Sequence, residues 1–220
     1  LTISVILLGN TYLYGFVFLL SIIGMYEFYR AVENINSKPV KFVGYIGCMG
    51  FLLNSLDFRW AKVSNIFLFV AILLLIYYFT KRDVKVADIG VTFFSIFYIP
   101  FLFQHIIYLS DSNYIWLVFI IAWGTDTFAY IFGMLFGKHK LCPSLSPKKT
   151  IEGSIGGIIG SVGLTYLYIS YLELGPTWIF LLTSLIGSIV AQTGDLTASK
   201  IKRVTGIKDF GFIMPGHGGV

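Results

Sequence analysis

The chain has 220 residues, is 56% hydrophobic and 18% aromatic, and carries 16 Lys and Arg against 11 Asp and Glu, a net charge of +5. Only 12% of its residues are charged, where soluble globular chains average about 25%, and the mean hydropathy is +0.81. Composition therefore excludes an ordinary soluble domain, and in so apolar a chain the positive charge speaks to loop placement, with no nucleic-acid partner expected.

In chain order, apolar runs between polar punctuation predict a partial span at 1–8, then spans near 12–30, 42–56, 63–80, 88–109, 114–136, 151–172 and 177–194. These lengths suit helices, a perpendicular crossing needing ~20 apolar residues, and 42–56 is the shortest internal run. The short alternating segments of a membrane β-barrel do not occur. The expected fold is thus all-α: a polytopic helical membrane bundle of about seven or eight spans, with residues 1–220 forming a single transmembrane domain. Leu1 opens inside an apolar run with no basic head before it, which reads as the remnant of a span rather than a signal peptide. Cys48 in an apolar run and Cys142 in a basic loop form neither a disulfide framework nor a metal pair.

Alternate loops differ sharply in charge. The loops around 30–41, 81–87, 137–150 and 195–220 hold Arg30, Lys38, Lys41, Lys81, Arg82, Lys85, Lys138, Lys140, Lys148, Lys149, Lys200, Lys202, Arg203 and Lys208, whereas the opposite set holds Arg59 and Lys62. Cytoplasmic loops accumulate Lys and Arg, so the first set is expected to face the cytoplasm.

Chemistry gathers in three places. The first is Asp126, in Trp123-Gly-Thr-Asp-Thr-Phe-Ala-Tyr130, in the middle of the 114–136 run. A carboxylate there costs at least about 2.5 kcal/mol unless a wet cavity, a cation or a partner receives it. Thr125, Thr127 or another helix would satisfy it structurally; the functional reading makes it a metal ligand. Glu27, close to the end of its own run, has Arg30 at i+3 and is expected to pair with it.

The second place is 137–157, GKHKLCPSLSPKKTIEGSIGG. Here Ser146, Lys148, Lys149 and Thr150 precede a glycine-rich helix start, and the pattern suits a polyphosphate: lysine charge, a hydroxyl, and free N–H groups at a helix N-terminus. Glu152 suits the helix dipole and is a further metal candidate. Gly153, Gly156, Gly157 and Gly160 form two small-xxx-small pairs, which also suit close helix packing in a bilayer. Gly133-Met-Leu-Phe-Gly137-Lys138 approaches a P-loop but has one residue too few between the glycines and His139 where Ser or Thr belongs, so that reading is excluded.

The third place is the closing segment. Asp195 ends a span, a short amphipathic helix carries Lys200, Lys202 and Arg203, and Lys208-Asp209 and Pro215-Gly-His217-Gly218-Gly219 follow. Consecutive glycines let backbone N–H groups approach an anion closely, and Asp195 and Asp209 are hard oxygen ligands suited to Mg²⁺ shared with phosphate. The plainer alternative is a basic membrane flank with a flexible glycine turn.

At these residues the chain resembles the phosphatidate cytidylyltransferases, or CDP-diacylglycerol synthases. The resemblance rests on Ser199-Lys-Ile-Lys202-Arg203, then Lys208-Asp209, then Pro215-Gly-His-Gly-Gly-Val220, on WGTDTFAY, on Ser146-Pro-Lys-Lys-Thr-Ile-Glu-Gly-Ser-Ile-Gly-Gly157, and on the Gly194-Asp195-Leu step. It covers roughly residues 120–220 in motifs, and the earlier spans in hydrophobic pattern alone. Met214 and Phe210 are mild departures. The family motif continues into Asp-Arg-apolar-Asp, which is absent here, so a C-terminal truncation and an inactive fragment are expected.

The resemblance implies transfer of the cytidylyl group of CTP to phosphatidic acid, giving CDP-diacylglycerol and pyrophosphate in phospholipid biosynthesis. It implies catalytic roles for Asp195, Lys208, Asp209 and His217. Substrate binding would fall to Ser146, Lys148, Lys149, Thr150, Lys202, Arg203, Gly218 and Gly219, and Mg²⁺ to Asp195, Asp209 and Asp126. The expected setting is a multi-pass protein of the bacterial inner membrane, with CTP, phosphatidic acid and the lipid bilayer as partners; a homodimer is admitted. The site is expected on the cytoplasmic face, from 137–157, 195–220 and the 114–136 span. Rival readings are a CTP-dependent lipid kinase or cytidylyltransferase acting on another lipid, and a transporter using Asp126 as an ion site.

Overall fold

The computed structural model describes residues 2–211 and 218–219, the side chain of Asn10 excepted. The helices are α1 (Thr2–Leu8), α2 (Asn10–Glu33), α3 (Lys41–Ser55), α4 (Val63–Thr80), α5 (Val86–Ile96), α6 (Leu102–Ile107), α7 (Tyr114–Phe136), α8 (Ile151–Leu172) and α9 (Thr177–Val204). A π-helical turn, Phe97–Phe101, joins α5 to α6, so Val86–Ile107 runs as one span. Among the described residues, six helices are long and apolar enough to cross a membrane, and a polytopic helical membrane protein is what the sequence implied. The 15 residues of α3 reach about 22 Å at 1.5 Å per residue, short of the ~30 Å hydrocarbon thickness.

The helices group into two compact units, residues 1–112 with 204–220, and residues 113–203. In the first, Met25, Phe28, Tyr29 and Val32 of α2, Val43, Gly44 and Cys48 of α3 and Ile96 of α5 are all buried. Gly44 is glycine because the Tyr29 ring and hydroxyl fill the place of a Cβ, and that hydroxyl meets Ser95 Oγ at 2.7 Å. Pro100 sits in the π turn; it has no N–H to give the carbonyl one turn back, and a wider turn absorbs the mismatch.

Asp88 ties this unit together. It is 2% exposed and accepts from Lys38 N at 2.7 Å, Ser37 Oγ at 3.0 Å and Lys85 N at 3.0 Å. Thr92 Oγ1 accepts from Val40 N at 2.8 Å, so the α2–α3 connection is fastened to α5 by side chains.

In the second unit, α8 lies directly along α7. A Cβ on Gly153 would stand 2.6 Å from Ala129 O and one on Gly157 2.7 Å from Thr125 O, while Phe132 and Phe128 fill the places of those on Gly156 and Gly160. The expected small-residue packing is therefore present: glycines bring the backbones together, as helices without a hydrophobic drive between them require. Farther along the same row of α8, Thr165 Oγ1 donates to Ser184 Oγ of α9 at 2.9 Å, and Ser161 Oγ lies 3.3 Å from the same oxygen.

Two departures from the sequence reading matter for the site. The stretch before α8 contains a hairpin, β1 (Lys140–Cys142) antiparallel to β2 (Ser146–Thr150), pairing Lys140 with Thr150 and Cys142 with Ser146. Its turn closes by Leu145 N donating to Cys142 O at 3.1 Å, with Pro143 in the position where a fixed φ favours a turn. Further on, α9 is unbroken for 28 residues, so Asp195 lies within a helix rather than at a span's end followed by a second short helix. Gly194 lowers helix propensity by only about 1 kcal/mol, too little to break a helix continued on both sides.

Candidate functional site

The close approach of α7 and α8 leaves a cavity of about 290 Å³ where the hairpin enters α8. Its polar walls are Asp126 from α7, Lys148, Lys149 and Thr150 from β2, Ser154 from α8 and Gln192 from α9, with Tyr130, Met134 and Leu141 as apolar surface. The size and mixed lining are those of a small-molecule site with a few placed polar groups.

Asp126 is exposed, while Thr125 beside it is fully buried and its hydroxyl has no hydrogen-bond partner among the described residues. The costly carboxylate thus meets the cavity, and Lys149 and Asp195 are the charged groups that act on it. Lys149 Nζ is ion-paired with Asp195 Oδ2, both side chains partly exposed. Lys148, next along the strand, is exposed. Alternation along β2 turns the two lysines to different sides of the strand, yet both line the cavity because it opens at the strand's end.

Thr150 caps α8: its Oγ1 accepts from Gly153 N at 3.1 Å. Ile151 N donates to His139 O at 2.9 Å. Two of the first-turn N–H groups expected to be free for an anion, those of Ile151 and Gly153, are therefore taken, and side chains add further donors for phosphate. The hydroxyl hydrogen of Thr150 is still available, since its oxygen acts as the cap. Glu152 is committed as well, accepting from Lys138 N at 3.1 Å, from His139 N at 3.2 Å and lying 2.6 Å from His139 Nδ1. It latches the hairpin to the helix rather than facing the cavity.

Ser154 Oγ donates to Gln192 Oε1, and Gln192 Nε2 donates back to Ser154 O at 3.2 Å. This reciprocal pair joins α8 to α9 one turn before Asp195 and so sets that carboxylate beside Lys149. Sequence reasoning missed both residues. Their pairing spans 38 positions, and no local pattern announces it.

Of the other residues singled out by sequence, Ser146 begins β2 opposite Cys142, outside the cavity lining. Arg203 Nε donates to Leu145 O at 3.4 Å, tying the end of α9 to the hairpin turn. Lys202 is half-buried. Lys208, Asp209, Gly218 and Gly219 belong to the first unit. There Asp209 borders Gly218, whose added Cβ would stand 2.5 Å from Asp209 Oδ1, and Gly218 and Gly219 have φ of 71° and 123°, which favour glycine. His217 lies outside the described residues. Arg30, expected from sequence to pair with Glu27, donates from Nη2 to Phe210 O at 3.2 Å.

The donor set suits a hard divalent cation in one way only. No group of three His, Cys, Asp or Glu residues stands together among the described residues, but Asp126 and Asp195 are neighbouring carboxylates. Mg²⁺ is held through one or two carboxylates with phosphate oxygens and water completing its shell, so these two fit a cation that arrives with a phosphate ligand.

Comparison with known proteins shows the family. The sequence model of the cytidylyltransferase family matches residues 1–220. A phosphatidate cytidylyltransferase of Staphylococcus haemolyticus is 36% identical over 226 residues, covering 98% of this chain and 85% of the relative. One of Staphylococcus epidermidis is 34% identical over 228 residues, with the same coverage. One of Staphylococcus aureus is 38% identical over 201 residues, covering 86% of this chain and 77% of the relative. A match along the entire chain, with identities above a third to proteins it nearly spans, leaves one conclusion: the chain belongs to the cytidylyltransferase family.

Proposed function

We propose that this protein transfers the cytidylyl group of CTP to phosphatidic acid, forming CDP-diacylglycerol and pyrophosphate. The observation that carries the reading is the cavity in which Asp126, Lys148, Lys149 and Thr150 converge beside Asp195, in a chain of the cytidylyltransferase family. An oxygen of the phosphatidate monoester forms a bond to the α-phosphorus of CTP. The bond from that phosphorus to the β-phosphate bridging oxygen breaks, and pyrophosphate leaves with the electron pair. A phosphomonoester is largely dianionic at neutral pH, its second pKa being about 6, so the nucleophile needs no base. What it needs is positioning and neutralisation of two anions brought together.

Lys148 and Lys149 supply positive charge to the triphosphate, and Thr150 Oγ1 donates to one of its oxygens. Lys149 reaches the phosphate from its pairing with Asp195, so one lysine answers either to a protein carboxylate or to the substrate. Asp126 and Asp195 are the residues that would hold Mg²⁺; Asp209 is a further cation candidate on the strength of its motif alone. When bound, Mg²⁺ would supply charge to phosphoryl oxygens that become more negative during transfer. Lys202, Arg203, Lys208 and His217 enter the reading from sequence, as phosphate contacts. Basic residues concentrated in alternate loops support a site open to the cytoplasm, where CTP is found, with the acyl chains remaining in the bilayer.

The test is to incubate the purified full-length protein with labelled CTP and phosphatidic acid in mixed micelles, with and without Mg²⁺. Label is expected in CDP-diacylglycerol, only with the divalent cation. Label found solely in a phosphorylated lipid alcohol would sink the cytidylyltransferase reading.

A further inference from the structure

Glu27 has no task in the reaction just described, yet it is a carboxylate on an apolar helix, 2% exposed. Burial of this kind persists only where the structure supplies compensation. Its surroundings lie far along the chain. Glu27 Oε1 occupies the place that a Cβ on Gly211 would take, and Oε2 stands 2.7 Å from the corresponding place on Gly219. Gly218 and Gly219 have positive φ and would be glycine for that reason alone, whereas Gly211 is not among the positive-φ glycines. Gly211 is therefore glycine for room, and the atom that needs the room is a carboxylate oxygen of α2.

The rest of the segment is fastened at the same end of α2. Arg30, one turn after Glu27, donates to Phe210 O at 3.2 Å. Phe210 N donates to Gly218 O at 2.7 Å and Gly211 N to the same oxygen at 3.3 Å, so the two glycine-bearing stretches are joined to each other as well as to the helix. Asp209 precedes this knot, and its Oδ1 borders Gly218.

We infer that Glu27 and Arg30 form the seat of the 209–211 and 218–219 segment, and that Glu27 is a positioning residue which sets the Asp209 carboxylate. The seat itself follows from contacts within the first unit; its consequence for turnover rests on the function proposed above, in which Asp209 acts on the cation or the phosphates. Glu27 touches no substrate in this account. It acts by filling the hollow left by two glycines, and Arg30 adds a hydrogen bond that holds the adjoining carbonyl.

The experiment is a size-swap cycle in the full-length protein, read by hydrogen–deuterium exchange and by initial rates. Gly211→Ala places a methyl on the Glu27 carboxylate, and amides of 205–211 are expected to exchange on the order of tenfold faster, with those of α7 and α8 unchanged. Glu27→Ala is expected to speed the same amides. The double variant, Glu27→Ala with Gly211→Ala, is expected to be no faster than the worse single, because the clash has been removed. In both single variants kcat should fall by about tenfold or more while KM for CTP moves less than about threefold, and Glu27→Asp should recover part of the loss. Should Glu27→Ala fail to insert, Gly211→Ala alone still decides, since it retains the charge.

Unchanged exchange in Gly211→Ala, or fully additive effects in the double variant, would overturn the seat. Faster exchange with unaltered kcat would overturn the positioning role. A wild-type protein that made no CDP-diacylglycerol would remove the proposed function, and the exchange results would still report on the seat.

Discussion

Asp88 and Asp126 both stand on apolar helices of span length, one in each compact unit, and their surroundings differ in every respect. Asp88 is 2% exposed, and its two oxygens accept from two backbone N–H groups and a serine hydroxyl. Asp126 is exposed to a cavity, and charged side chains, Lys149 and Asp195, act on it. The first carboxylate holds loops together and has nothing left to offer a ligand. The second faces the cavity together with Lys148, Lys149 and Thr150. The sequence reading weighed Asp126 and passed over Asp88; the donor inventory separates a fastener from a site.

The comparison can be broken by substitution, and the largest expected effect falls on the cavity. Asp195→Asn in the full-length enzyme should lower kcat by about 10²–10³-fold, the scale seen when one preorganised electrostatic group is removed from an active site. Membrane insertion should be unaffected, since Asp195 is half-exposed. Retention of the wild-type rate would remove it from the cation site.

Asp88→Ala should do the reverse. It leaves Lys38 N and Lys85 N without their acceptor, at about 1–3 kcal/mol for each buried group. Thermal unfolding in detergent should register a loss of about 3 kcal/mol, while KM for CTP stays within about twofold in the protein that folds. A large rise in KM would mean that the fastener and the site are not separate.

Gly157→Ala tests the ground on which the site stands. The new methyl would meet Thr125 O at 2.7 Å, a backbone atom that cannot step aside, so overpacking of about 1–3 kcal/mol is expected, together with a raised KM for CTP as α7 moves off α8. Stability unchanged from wild type would contradict the close-packed contact. The smallest effect is expected at the latch: Glu152→Gln weakens the bonds to Lys138 N and His139, which solvent screens, and should raise KM for CTP a few-fold without touching kcat. A fall in kcat instead would put Glu152 in the chemistry.

How much of this was legible beforehand differs between the two units. Apolar runs gave the helices because a bilayer leaves the backbone few other choices. The glycine spacing from Gly153 to Gly160 gave the packing edge of α8, since small residues four apart share a face. Lys148, Lys149, Thr150 and Asp126 are all within 25 residues of one another, so their convergence needed only one helix turning back along another. The hairpin escaped because strands of three and five residues, interrupted by prolines, carry no alternation long enough to read. The continuity of α9 past Asp195 escaped because a change from apolar to basic composition marks where a membrane ends, not where a helix does. Gln192 with Ser154, and Glu27 with Gly211, are pairings across 38 and 184 positions (211 − 27). Only the folded chain brings them together.

The central claim is that the cavity at the α7–α8 entrance holds the phosphates of CTP. Its most direct test is the steady-state kinetics of full-length Lys149→Ala with both substrates varied. Loss of one charge-assisted contact of about 1.5–3 kcal/mol should raise KM for CTP by about 10–100-fold, with KM for phosphatidic acid within about twofold of wild type. An unchanged KM for CTP would place the nucleotide elsewhere and contradict the account.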